Sequence, residues 1–117
     1  MTTRWLYHAL LREIWERVDQ RVGEAYAPES LESEGFVHAS YRDVVGESAR
    51  LYVATKGACV ILRIDPRRLG VRVEVAETPR GPMPHVLGAI PRDAIVDVVD
   101  LDAWDAARAP DLLPTSS

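Results

Sequence analysis

The spacing of apolar residues changes period along this chain, and the order of those changes restricts the fold more than any single motif. Residues Arg4 to His8 read as a first strand. Leu11, Ile14, Trp15, Val18 and Val22 then recur at helical spacing, with Arg12, Glu13, Glu16, Arg17 and Asp19 between them. Gly23 offers that helix a stop, and Trp15 is its expected core anchor. Residues 24–35, with Pro28, Ser30 and Gly35, read as a loop, and Phe36 to His38 as a short strand. Ser40 followed by Asp43 reads as a loose capping box that opens a second helix, with Val44, Val45, Ser48, Leu51 and Tyr52 facing inward. After the Lys56-Gly57 turn, Ala58 to Ile64 is the most apolar strand, ended by Asp65-Pro66. Val71, Val73 and Val75 alternate with Arg72, Glu74 and Ala76 as a half-buried strand. The prolines and glycines of residues 78–91 predict an irregular loop, and Ile95 to Leu101 the last strand.

Helices thus come early and strands late. That order predicts an α+β domain with a mixed or antiparallel sheet and two helices in its N-terminal half. One compact domain is expected over residues 1–101, with residues 102–117 as a tail that frays. No glycine-rich loop follows a strand, which argues against a Rossmann or P-loop site.

Composition narrows the function class. With 117 residues, 47% of them hydrophobic, one core can form without metals or disulfides. A formal charge of -4 and the lack of a basic stripe argue against nucleic-acid binding; Arg67 and Arg68 read as part of a turn. Cys59, the single cysteine, lies in an apolar strand and is expected in the core. No secretory signal or membrane span is expected, so the default is a soluble cytoplasmic protein.

Chemistry is expected from the histidines, of which there are three: His8, His38 and His85. Each lies near a strand end or a Pro/Gly loop, which suggests that they line one cleft. His8 shares a strand face with Leu6, while Trp5 and Tyr7 share the other. His38 and Ser40 share the next, and backbone N–H groups at a helix starting from Ser40 would favour an anion. His85 sits between Pro84 and Gly88 in the expected loop. Glu74 is the carboxylate suited to stabilising positive charge, or else to pairing with Arg72. Tyr7, Tyr26 and Ser30 are the further ligand-binding candidates.

The segments Leu6-Tyr7-His8, Gly23-x-x-Tyr26, Ser30-Leu31-x-x-Glu34-Gly35-Phe36-Val37-His38-x-Ser40, Leu62-x-Ile64-Asp65, Val73-Glu74 and Pro84-His85-x-x-Gly88 resemble the bacterial domain-of-unknown-function 952 family, over about residues 5–101. Met83 and Leu87 depart from that family's pattern, which has Phe and Tyr there. The resemblance implies a compact α+β domain with a distant likeness to ADP-ribosyltransferase-like folds. Such folds arrange a first-strand His or Arg, a hydroxyl residue and a later Glu around NAD, and His8, His38, Ser40 and Glu74 are the residues here that match this logic.

The resulting expectation is an enzyme acting on NAD or another phosphorylated, nucleotide-like ligand, with His8, His38, Glu74 and His85 catalytic. Tyr7, Tyr26, Ser30 and Ser40 would bind the ligand. The alternatives are a non-catalytic domain that binds a small anionic molecule in the same cleft, or a histidine metal site.

Overall fold

The first strand runs further than its sequence signal. In the computed structural model, which describes residues 4–21 and 23–114, β1 spans Leu6–Leu11 and passes directly into α1, Arg12–Gln20. Trp15 is buried as expected, with Ile14 and Val18 packed on the same core. Val22, expected on that helical face, lies outside the described residues.

The remaining elements are α2 (Glu29–Glu34), β2 (Val37–His38), α3 (Arg42–Ser48), β3 (Cys59–Ile64), β4 (Val73–Thr78), β5 (Gly81–Val86) and β6 (Ile95–Asp100). They form two antiparallel sheets, ordered β1-β3-β6 and β2-β5-β4. The inward faces of both meet in one core: Leu6, Leu10, Leu62 and Ile64 from the first sheet, Val37 and Val86 from the second. Alternation sends Tyr7 and Ile61 to the opposite face of the first sheet, where they pack with Val45 of α3 and Trp104. The chain is a compact α+β domain with antiparallel sheets and few helices.

Six expectations need correction. The register pairs His8 with Leu62, so His8 lies within β1 and not at its end. Residues 24–35 contain α2. Pro28 precedes its first turn, where a missing N–H is harmless, and Glu29 and Glu32 favour the positive end of the helix dipole. Gly35, at φ 85°, closes the helix in the left-handed region, with its N–H donating to the Leu31 carbonyl at 3.0 Å. Only Leu31 of this helix packs on the core, so it carries almost no hydrophobic period.

Residues 78–91 contain β5, the central strand of its sheet despite Pro82 and Pro84. The Leu87 N–H donates to Arg72, so alternation turns the Met83 and His85 N–H groups toward β4 as well. The N–H groups that the prolines lack would point the other way. There β2 is only two residues long, and the Pro84 carbonyl still accepts from Ala39.

Ser40 is not a helix cap. Its backbone exchanges two hydrogen bonds with Tyr7, at 2.7 and 2.8 Å, and α3 starts behind Tyr41 with no side-chain cap. Asp43 pairs instead with Arg4. Leu51 and Tyr52 point outward, 52% and 62% exposed. A π-helical turn over Ala49–Val53, in which Ala54 N–H donates to the Ala49 carbonyl, shifts the helical phase and buries Ala49 in their place.

The tail is tied down through residue 113. Trp104 packs edge-on to Tyr7, Asp111 receives the Trp5 N–H and the Arg4 guanidinium, and Leu113 is buried. Residues 115–117 lie outside the described residues.

Candidate functional site

Short as it is, β2 places His38 where three elements meet. Its partner across β5 is His85, and the partner of His85 across β4 is Glu74. Directly opposed residues project from one face of a sheet, so Glu74, His85 and His38 form a cross-strand row. The His38 and His85 rings lie edge to face with centroids 5.8 Å apart. Phe36 stacks on His85 at 3.9 Å and meets His38 edge-on at 4.6 Å. From the end of α2, Glu34 Oε2 approaches His38 Nε2 at 2.7 Å. Neither Nδ1 of His38 nor either nitrogen of His85 has a hydrogen-bond partner among the described residues. Partial burial pulls the His85 imidazole below its ordinary value, and the neighbouring His38 adds to this, while Glu34 and Glu74 oppose it. Glu74 is exposed and holds Arg72 at 3.3 Å.

His8 reaches the same segment from the core side. Its Nδ1–H donates to the His38 carbonyl, which can only accept, so Nε2 accepts from the Tyr26 hydroxyl at 2.9 Å. Burial pushes the His8 imidazole down to about 4, although its bond to the His38 carbonyl works against that shift. The ring is neutral at physiological pH, and both nitrogens are engaged. Burial likewise pushes the Tyr26 phenol up to about 12.

Between β1, β2 and the α3 region lies a cleft of about 380 Å³. His8, His38 and Ser40 line it, with Val45, Tyr52 and Met83 among the less polar walls. Ser48 also lines it, and its hydroxyl oxygen is buried with no hydrogen-bond partner among the described residues.

The candidates therefore separate by position. His8, His38 and Ser40 share the cleft, His85 flanks His38, and Glu74 stands beyond His85 on the exposed edge. Tyr26 supports His8 from behind. Tyr7 faces away: its hydroxyl donates to the Pro110 carbonyl and its ring packs on Trp104. Burial pushes its phenol up to about 12. Ser30, on α2, is not among the cleft residues.

Sequence reasoning overlooked Glu34, Phe36, Ser48, Tyr52 and Met83 as site residues. The four-residue spacing of Glu34 and His38 was the available signal, but Gly35 ends the helix that such spacing normally implies. Among the described residues, no three His, Cys, Asp or Glu side chains are grouped to hold a metal ion. No helix among them is long and apolar enough to cross a membrane.

The chain matches the family model described as "Protein of unknown function (DUF952)" over residues 10–98. Its fold is similar to that of protein CC0527 from Caulobacter crescentus, with a TM-score of 0.68 at 18% identity, over 82% of this chain and 84% of that one. The structure of a double mutant of CC0527 is similar to the same degree. At this identity the likeness is one of fold. None of the curated proteins compared matches the chain.

Proposed function

The chain belongs to the DUF952 family, and from the site it carries we propose that it is an enzyme acting on a small anionic, nucleotide-like ligand in the cleft beside His38. One observation supports this above the rest: an imidazole held by a carboxylate at the mouth of a largely apolar cleft, with a second, unpartnered imidazole beside it. Glu34 accepts from His38 Nε2–H and leaves Nδ1 as the basic nitrogen, the arrangement general-base catalysis requires. His85 takes or returns a proton, and Glu74 acts through it by favouring its protonated form. The ligand's anionic group sits against the two imidazoles, while its ring lies against Tyr52 and Met83. His8 is a positioning residue that holds the His38 backbone. NAD is the first ligand to test, with ADP-ribosyltransferase-like transfer or glycohydrolysis as the specific reaction, and a cytoplasmic setting suits the single buried thiol.

A binding domain without turnover is the second reading. It is favoured by the engagement of both His8 nitrogens, which removes one of the expected acid–base groups. Thermal shift with NAD, ADP-ribose and AMP, paired with product analysis, separates the two. The enzyme reading expects stabilisation and product from NAD, with product lost in His38→Ala and reduced at least about tenfold in Glu34→Gln while both variants stay folded. Stabilisation without product supports the binding domain. Turnover unchanged in His38→Ala refutes the proposal.

A further inference from the structure

A second cavity, of about 170 Å³, lies on the face of the β1-β3-β6 sheet turned away from the His8 side, beneath residues 103–110. Tyr7, Ile61 and Val99 line it from the sheet, and Trp104 and Pro110 close it from the C-terminal segment. The same strand alternation that buries Ile61 here brings one cation and one anion to the cavity. Arg63 is paired in register with Tyr7 on one side and with Asp97 on the other.

These two charges are cross-strand neighbours that do not join. The Arg63 guanidinium lies over the Trp5 ring at 4.7 Å, and its buried Nε has no hydrogen-bond partner among the described residues. Among the described residues, the exposed Asp97 accepts only the N–H of its own neighbour, Val98. At the rim, Arg108 and Asp105 pair with each other at 3.6 Å, so they do not neutralise the inner two. A guanidinium without an acceptor and a carboxylate without a cation thus flank an apolar, aromatic slot. The buried Arg63 Nε left in this condition calls for a partner, while the exposed Asp97 carboxylate is open to an incoming cation.

We propose that this cavity binds a small apolar α-amino acid as its zwitterion. The carboxylate meets Arg63, whose planar fork suits bidentate carboxylate binding. The ammonium meets Asp97, and the side chain enters between Trp104, Tyr7 and Val99. A simple carboxylate would face Asp97 as a like charge, and a simple amine would leave Arg63 unpaired; only a molecule carrying both charges answers both. Size points the same way, since a dry cavity of about 150 Å³ accommodates a benzene-sized molecule. Side chains from valine to leucine are of that order. The site is separate from the His38 cleft, since the two cavities share no lining residue.

The test uses the full chain with leucine, 4-methylpentanoate and 3-methylbutylamine, followed by thermal shift and by the fluorescence of Trp104 against a Trp104→Phe control. Leucine is expected to stabilise the protein saturably, and each truncated analogue to bind at least about tenfold more weakly. Arg63→Gln and Asp97→Asn are each expected to lose leucine binding by at least about tenfold, while His38→Ala retains it. An unchanged response in Arg63→Gln overturns the proposal. So does a carboxylate or amine analogue that binds as tightly as leucine, or the absence of a response to any apolar amino acid. The analogue series on the unaltered protein decides the matter even if Arg63→Gln fails to fold.

Discussion

Lowering the pH from about 7 to about 4.5 drives a proton toward His8, a group with no room for the charge. Its Nδ1–H already donates to the His38 carbonyl, and its Nε2 accepts from Tyr26, so protonation sets a new N–H against the tyrosine hydroxyl in a buried site. The folded-state value of about 4 lies below the ordinary 6.5, so the unfolded chain takes up the proton first. Stability from this residue is therefore complete above pH 6.5 and is lost as the pH falls toward 4. A difference of about 2.5 units corresponds to about 3 kcal/mol, of which about 2 kcal/mol is lost by about pH 4.5. Urea unfolding followed by tryptophan fluorescence at the two pH values measures it, in the parent chain and in His8→Gln. Glutamine keeps hydrogen-bonding groups at the position but does not titrate. The parent is expected to lose about 2 kcal/mol more than the variant, whatever the variant's own starting stability. Asp65 and the other carboxylates contribute to both proteins alike and cancel in the comparison. Equal losses in the two proteins would refute the reasoning, because the buried neutral imidazole would then carry no linkage to folding.

Other perturbations probe the packing and the histidine row. Gly46→Ala places a Cβ 2.9 Å from Trp104 Nε1 and 3.0 Å from its Cδ1, which is expected to cost about 1–3 kcal/mol in chemical denaturation and to alter tryptophan emission. Buried Asp65 receives the Arg67 side chain at 2.8 and 2.9 Å as well as its backbone N–H, and the Arg67 side-chain bonds hold its carboxyl below the usual range. Asp65→Asn is expected to cost about 2 kcal/mol near neutral pH, with the deficit shrinking as acid protonates the parent carboxyl. In an NMR titration, His38→Ala is expected to raise the His85 pKa by removing a neighbouring positive charge, and Glu74→Gln to lower it. A His85 titration indifferent to both would show that the row is not electrostatically connected.

Strands and helices with strong periodicity were legible in the sequence. The inward face of α1, the apolar β3 and the alternating β6 needed only counting, because burial imposes their patterns directly. What escaped counting was structure that depends on partners. β5 reads as a loop since Pro82 and Pro84 break any local rule, and it stands because the N–H groups they lack face the side where β2 is too short to need them. α2 shows little apolar stripe because only Leu31 packs on the core. Ser40 carries a cap signal, yet its backbone is engaged by Tyr7, a residue 33 positions away whose pairing no local pattern reveals. The site divides similarly. The histidine motifs pointed to His8, His38 and His85 lining one cleft; His8 and His38 do so with Ser40, while His85 stands beside His38. The fourfold spacing of Glu34 and His38 could not be used, because their contact runs across a helix end closed by Gly35. Strand alternation alone put Tyr7 on the face opposite His8, and it packs there against Trp104, outside the His38 cleft.

The central claim is that the His38–His85 pair and its cleft form one ligand site. Imidazole NMR of the three histidines during titration with ADP-ribose tests it most directly. The account predicts that His38 and His85 shift together and saturate at one affinity, while His8 keeps both hydrogen bonds and moves little. Saturable binding that leaves His38 and His85 unmoved would contradict it.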